Sequence, residues 1–333
     1  MNQEEKELRH FLWLFTLTVV LLFFGKPSLA ADGWWYQQGK FLTENTLNGV
    51  WGSSKNDVFA VGKGGTILHY NGNAWSSMAS GTNYGLNAVW GSSGSDVFAV
   101  GESGTILHYN GSAWSPMTSG ALSGLKAVWG SSGNDVFAVG ETGTVLHYNG
   151  NAWSGGGVSS RSDYYGVWGR SGGEVYAVGY SWHENDSLFP ERCLWHYNGI
   201  IWSSGCPSQA GGFLYAVWGS SGNDLFFLGD KNGSTIFLYN GSPGSSGSYT
   251  TTSEWLRAIW GSSGTDVFAV GANGAILHYD GSAWSYMARV NYYELNAVWG
   301  SSGSDVFAVG AYGMILHYSV ISDRLFLPLI LNN

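Results

Sequence analysis

The chain has 333 residues, a formal net charge of −9, 16% aromatic residues and 11% charged ones, against ~25% charged in an ordinary soluble domain. An acidic chain (pI near 5.2) without a Lys/Arg cluster is unsuited to nucleic acid and to anionic membrane surfaces, which select basic patches. The aromatic and β-branched content is that of a chain that packs a core, so disorder is excluded as well.

At the N-terminus, Phe11 to Phe24 is a run of 14 uncharged residues, followed by Gly25-Lys26-Pro27 and then Ser28-Leu29-Ala30. Small residues at Ser28 and Ala30 suit cleavage of a signal peptide before Ala31. Glu4, Glu5 and Glu7 offset Lys6 and Arg9 in the leading segment, which leaves an uncleaved anchor as the alternative. The run is short of the ~20 residues that a spanning helix needs. The expected organisation is therefore residues 1–30 as signal peptide or N-terminal anchor and 31–319 as a folded body outside the cytoplasm. Residues 320–333 form an apolar tail whose Leu325–Leu331 stretch, interrupted by Pro328, cannot span a bilayer.

Within the body, Val-Trp-Gly recurs six times and Ile-Trp-Gly once. The tryptophans are Trp51, Trp90, Trp129, Trp168, Trp218, Trp260 and Trp299. A period near 40 residues marks one supersecondary unit repeated along the chain. In the third copy, Leu125–Trp129 reads as a strand, Gly130–Asn134 as a turn and Asp135–Val139 as a second strand. Gly140–Gly143 is a second turn, Thr144–Tyr148 a third strand, Asn149-Gly150 a tight turn and Ala152-Trp153 the start of a fourth strand. Four short antiparallel strands per copy predict one blade of a β-propeller, so seven copies predict an all-β, seven-bladed ring.

The ends of the chain suggest how that ring closes. The last copy stops after His317-Tyr318 without its fourth-strand tryptophan, while Trp35 stands 16 residues ahead of Trp51, as fourth-strand tryptophans do elsewhere (Trp202 before Trp218). The N-terminal segment is therefore expected to complete the last blade and remove an open sheet edge. The two cysteines, Cys193 and Cys206, flank a predicted hairpin turning at Asn198-Gly199. A local disulfide is the expectation for an oxidising compartment.

Trp-Gly-Ser-Ser, Asp-Val-Phe-Ala-Val-Gly and Gly-Thr-Ile-Leu-His-Tyr-Asn-Gly, as they stand at 90–111, resemble the repeats of exported bacterial propellers. The resemblance extends loosely to the sialidase-like (Asp-box) and photosystem II assembly-factor propellers, and it covers residues 32 to 318. It implies the fold. It implies no activity, because Ser-x-Asp-x-Gly-x-Thr-Trp occurs in no copy and propellers host unrelated functions. Sialidase chemistry would also bring three arginines onto one carboxylate. Arg161, Arg170, Arg192 and Arg257, the arginines expected near one face, form no legible set.

Residues present in every copy read as scaffold. His69, His108, His147, His196, His278 and His317 lie on third strands, ~10 Å outward from the inner ones, too far apart to share an ion. No metal or other cofactor is expected. Asp57, Asp96, Asp135, Asp224, Asp266 and Asp305, with Glu174 in the fourth copy, follow the Ser-Ser turn and are expected to fix it through backbone hydrogen bonds.

Function is sought where the copies differ. The loops between strands two and three, and those between blades, emerge on one face and carry nearly all the variation. They include Tyr84, Asp163, Phe213, Trp255, Tyr292, Tyr293 and an expansion from Tyr180 to Arg192 that contains Trp182. Three residues before each repeat tryptophan stand Asn48, Asn87, Lys126, Tyr165, Tyr215, Arg257 and Asn296, polar or aromatic where their neighbours are apolar. This ring is expected at the mouth of the central channel. The candidate ligand-binding set is those seven with Trp182, Trp255 and Tyr293; a wet channel lined by polar residues is the alternative. The function expected is noncatalytic binding of a protein or glycan at the cell surface, without nucleic acid and with membrane contact only through an uncleaved N-terminal anchor. A lectin-like glycan binder and a glycan-active hydrolase or lyase stand as alternatives.

Overall fold

The computed structural model describes residues 33–38, 42–155, 162–181, 191–204, 213–220, 224–230, 234–239, 248–290 and 293–320. The leader, the C-terminal tail, Trp182 and Cys206 lie outside the described residues. There are seven four-stranded antiparallel sheets, six built from consecutive strands and the seventh from the last three strands and the first. In blade one these are the inner strand Leu47–Ser54, then Asp57–Gly62, Ile67–Tyr70 and the outer strand Trp75–Met78. The other inner strands are Leu86–Ser93, Leu125–Ser132, Ser162–Ser171, Leu214–Gly219, Leu256–Ser263 and Leu295–Ser302. Each inner strand touches the next, and Leu295–Ser302 returns to Leu47–Ser54.

Ring closure follows the expectation. The N-terminal strand Trp34–Gln38 is hydrogen-bonded to Ile315–Ser319 and is the outer strand of blade seven. Its Trp35 ring lies 5.5 Å from Tyr318, matching Tyr70–Trp75 at 5.4 Å and Tyr109–Trp114 at 5.3 Å within single blades. Gln38 latches both sides of the seam. Its Oε1 accepts the Trp75 indole N–H at 2.9 Å, and its Nε2 donates to His317 Nδ1 at 3.0 Å. Because Nδ1 accepts there, Nε2 of His317 carries the proton and donates to Asp305.

Both faces of every blade are covered by the neighbouring blades, which is why Asp-Val-Phe-Ala-Val-Gly reads as a continuous apolar strand rather than an alternating one. Between blades one and two, Phe59, Val61 and Ile67 meet Leu86, Val89, Val97, Ala99, Leu107 and Trp114. The same layer recurs between blades seven and one, where Phe307, Val309 and Ile315 meet Leu47, Val50 and Val58. An outer aromatic layer repeats as well: Trp114 meets Phe59 edge-on at 6.1 Å, and Trp75 meets Phe307 likewise. Such edge-to-face pairs contribute about 0.5–1.5 kcal/mol beyond the area they bury.

The Trp-Gly dipeptide forms the inner layer. The edge of each repeat indole lies over the glycine of the following blade: Trp51 over Gly91, Trp90 over Gly130, Trp129 over Gly169, and Trp299 over Gly52 to close the circle. A Cβ on Gly91 would stand 2.7 Å from the Trp51 ring and 2.8 Å from the Asp96 carbonyl oxygen. Tryptophan needs a glycine in the next copy, so the pair repeats together.

The recurring aspartates act differently from the expectation of backbone hydrogen bonding. Ser53, Ser92, Ser131, Ser262 and Ser301 each donate Oγ–H to one carboxylate oxygen of the following aspartate. The other oxygen takes the third-strand histidine Nε2 at 2.5–2.6 Å. Each of these histidines also packs its ring on the phenylalanine opposite it, as in Phe137–His147 at 4.2 Å. The aspartate therefore ties the Ser-Ser turn to the third strand. Blade four rewires this set. Tyr176 replaces the phenylalanine and donates to Glu174, Arg170 replaces the serine and pairs with Glu174 at 3.1 Å, and His196 Nε2 is buried with no hydrogen-bond partner.

Candidate functional site

The seven polar positions share one backbone feature. In every blade the pairing of the inner strand with the second strand skips one residue, between Leu47 and Gly49, Leu86 and Ala88, Leu125 and Ala127, Tyr164 and Gly166, Leu214 and Ala216, Leu256 and Ala258, and Leu295 and Ala297. The skipped residues are Asn48, Asn87, Lys126, Tyr165, Tyr215, Arg257 and Asn296. A β-bulge leaves its extra residue out of the ladder and re-aims the side chain. That explains why an apolar strand breaks its pattern at the same place seven times.

The side chains at these bulges divide the ring in two. Asn48 donates its amide N–H to Leu86 O at 2.9 Å, Asn87 to Leu125 O at 2.7 Å and Asn296 to Leu47 O at 2.9 Å. These asparagines stitch blade seven to one, one to two, and two to three. They are occupied by the fold. From blade three to blade six the bulge carries a longer side chain that reaches a carboxylate or a second ring. Lys126 Nζ meets Glu141 at 2.6 Å, Tyr215 donates to Asp230 at 2.7 Å, and Arg257 bridges to Glu294 of the next blade at 2.8 Å. The Tyr165 ring stacks on Tyr180 at 5.9 Å, and Tyr180 donates to Asp163 at 2.8 Å. The sequence-predicted ring thus resolves into a structural half and a continuous arc of four blades.

The acids of this arc have a second task that the sequence does not announce. Glu141 accepts Gly124 N–H, Asp163 accepts Thr142 N–H, and Asp230 accepts Phe213 N–H at 2.6 Å. Glu141 and Asp230 hold the segments leading into inner strands, Asp163 holds the second-to-third loop of blade three, and they present their remaining oxygens toward Lys126, Tyr215 and Tyr180 respectively. Burial, reinforced by the hydrogen bond to Asp163, pushes the Tyr180 hydroxyl far above the usual tyrosine range. It therefore serves as a proton donor at any physiological pH.

The loops that vary from blade to blade do emerge together. Lys63 N–H bonds Thr46 O ahead of its own inner strand, while Gly65 lies against Thr82 O in the link to blade two. In five blades this loop holds two successive left-handed residues: Gly64-Gly65, Ser103-Gly104, Thr142-Gly143, Asn273-Gly274 and Tyr312-Gly313. In blade four the expansion predicted from Tyr180 begins later. Tyr180 and Ser181 extend the second strand and pair with Arg192 and Glu191 of the third, so the hairpin lengthens before it turns. Arg170, expected near the variable face, lies instead at the inner-to-second turn on the opposite face with Glu174, away from Arg257. That separation removes it from any arginine cluster. Of the remaining candidates, Trp255 and Tyr293 are 56% and 44% exposed beside the arc. Tyr312, which sequence reasoning passed over, is 69% exposed and packs at 5.1 Å from Tyr293. Its signal was available: a tyrosine standing where other copies have Gly, Ser, Thr or Asn. No cluster of metal-ligating side chains occurs among the described residues.

No family model and no curated protein matches the sequence. Solved structures do. A structure of YCF48 bound to D1 peptide is similar with a TM-score of 0.67 and 16% identity, over 87% of this chain and 97% of that one. YCF48 from Cyanidioschyzon merolae gives 0.65 and 16%, over 86% and 98%. The WD40 β-propeller domain of Doa1 gives 0.67 and 13%, over 86% and 96%. At such identities the likeness is one of fold: the chain is a seven-bladed β-propeller similar in architecture to YCF48 and to the Doa1 propeller.

Proposed function

We propose that this propeller is a noncatalytic interaction module outside the cytoplasm, and that it binds a protein segment across the arc of Lys126, Tyr165, Tyr215 and Arg257. The observation that carries this reading is the asymmetry of the bulge ring. Seven equivalent positions are available, three are used as stitches, and four adjacent ones present long polar or aromatic side chains, two of which (Lys126 and Tyr215) meet carboxylates held by backbone N–H groups. A peptide offers amide donors and acceptors that can exchange with these pairs, and the tyrosine rings supply area at low entropic cost. YCF48 has been solved with a D1 peptide, which supports a peptide ligand for a propeller of this shape. The location outside the cytoplasm is supported by the uncharged Phe11–Phe24 run and the small residues before Ala31.

The noncatalytic reading is supported by how the serine, aspartate and histidine sets of the described residues are used. In each, the carboxylate stands between the other two, receiving Ser Oγ and His Nε2 on separate oxygens, so histidine does not activate the hydroxyl. Selection of a displayed random-peptide library on the chain tests the proposal. Selected peptides should lose binding to a Lys126→Ala/Tyr165→Ala/Tyr215→Ala variant and keep it with a change on the opposite face such as Asn73→Ala. Equal binding to both variants refutes the arc. Turnover of sialosides or other glycosides by the purified chain would refute the noncatalytic reading.

A further inference from the structure

Three exposed aromatic rings stand on the loops of two neighbouring blades at the edge of the arc, and the fold gains little from any of them. Trp255 immediately precedes the blade-six inner strand, and its carbonyl accepts Ala272 N–H. Tyr293 precedes Glu294, whose carbonyl accepts Ala311 N–H, and Tyr312 follows in that same loop. The Arg257–Glu294 ion pair links blade six, which Trp255 precedes, to blade seven, which carries the tyrosines, with its side chains 47% and 51% exposed. Tyr293 and Tyr312 meet at an interplanar angle of 58°, forming a corner rather than a stacked pair.

Tyr312 is the informative member. It holds a φ of 55°, the left-handed region that bulky residues avoid, at a cost on the order of 1 kcal/mol or more. The loop imposes the same conformation on Gly64, Ser103, Thr142 and Asn273 in other blades, and Tyr312 is the largest side chain placed there. A residue held against its backbone preference usually recovers the cost by burial. Tyr312 is 69% exposed and recovers little. What sets Tyr312 apart from the exposed Thr142 at the same position is a large ring left in solvent beside Tyr293.

We infer that Trp255, Tyr293 and Tyr312, with the Arg257–Glu294 pair between them, form a docking platform for a neutral glycan chain. The face of a pyranose ring presents C–H bonds with partial positive charge, which match the negative face of an aromatic ring. The hydroxyls at its edge can take hydrogen bonds from the guanidinium and give them to the carboxylate, and those two charges cancel. An anionic ligand would meet a carboxylate here and a chain of net charge −9. A corner of exposed rings suits successive sugar units better than a folded protein surface. This site lies beyond the peptide arc proposed above, sharing only Arg257 as its border.

Isothermal titration of the full chain with cellohexaose, laminarihexaose and chitohexaose tests the platform. At least one is expected to bind. Tyr312→Gly is expected to fold as well as the parent, since glycine suits the backbone there, and to weaken binding about fivefold; Trp255→Ala/Tyr312→Gly should weaken it at least ~10-fold. Lys126→Ala/Tyr215→Ala should leave the sugar affinity unchanged, which keeps failure of the peptide arc separate from failure of the platform. The inference is overturned if none of the three oligosaccharides binds, if the double variant at 255 and 312 binds as the parent does, or if the platform captures a polyproline peptide and no sugar.

Discussion

Replacing Gly91 by alanine probes the contact that sets the spacing between blades. The added Cβ would lie 2.7 Å from two carbons of the Trp51 ring and 2.8 Å from Asp96 O, where comfortable carbon contacts begin near ~3.5 Å. The indole would have to retreat by about 1 Å into the layer it shares with Phe59, Val61 and Leu86. The carbonyl cannot retreat without disturbing the pairing of Gly91 with Val97. Overpacking of this kind costs roughly 1–3 kcal/mol, and a backbone atom among the clashes places it at the upper end. Alanine returns about 0.5–1 kcal/mol through the lower entropy of the unfolded chain. The net loss is then about 2 kcal/mol, or a fall in Tm of roughly 4 °C for a domain of this size. Thermal and urea denaturation followed by circular dichroism measure it, with Gly155→Ala, whose Cβ would meet nothing within 4 Å, as the control. In a double-mutant cycle with Trp51→Leu, removal of the indole should relieve about 1–2 kcal/mol of the loss. A coupling energy of zero, or a Gly91→Ala chain as stable as the control, would refute the account of the Trp-Gly layer.

The seam of the ring gives two further tests. Trp35→Ala removes the ring that covers Tyr318 and should cost about 3 kcal/mol, read as a lower urea midpoint and as proteolytic cleavage starting at the N-terminal strand. Burial alone would raise the Asp305 carboxyl, yet the hydrogen bonds from His317 and Ser301 and the nearby Lys55 charge hold it below the usual carboxylate value. A lowered folded pKa means that this stabilisation is complete above the unfolded value near ~3.9 and is lost as pH falls through the folded one. Stability measured against pH should therefore converge between the parent and Asp305→Asn in strong acid and diverge above it; parallel curves would contradict the assignment. In blade four, burial and the hydrogen bond to Glu174 push Tyr176 up to about 12, so Tyr176→Phe should remove a late-titrating component from the alkaline absorbance titration. The expected Cys193–Cys206 bond is checked by intact mass before and after reduction. Its support is the sequence alone, in which Cys193 and Cys206 flank the segment turning at Asn198-Gly199. An unchanged mass would mean free thiols.

Much of this architecture is determined by the sequence alone, because it is written once per blade. A repeat cannot bury its faces by itself, so the spacing of Trp51, Trp90 and their successors implies a closed stack. The unpaired Trp35 at one end and the missing outer strand at the other imply the way it closes. Local turn chemistry was legible too, since Asn-Gly and Gly-Ser-Ser-Gly specify their turns from neighbouring residues. The polar interruption at Asn48, Lys126 and Arg257 was also visible in one dimension. What it meant was not. Whether a bulge side chain bonds a carbonyl on the next blade, as Asn87 does, or a carboxylate, as Lys126 does, depends on atoms brought close only by the radial packing of the ring. The same holds for the aspartates, whose histidine partners stand twelve residues away on another strand, and for Tyr312, whose left-handed backbone and nearness to Tyr293 arise from loops of a shared face. Strand periodicity and turn type are set by near neighbours in the chain. Which polar groups are consumed by the fold, and which are left facing outward, is decided by contacts between blades.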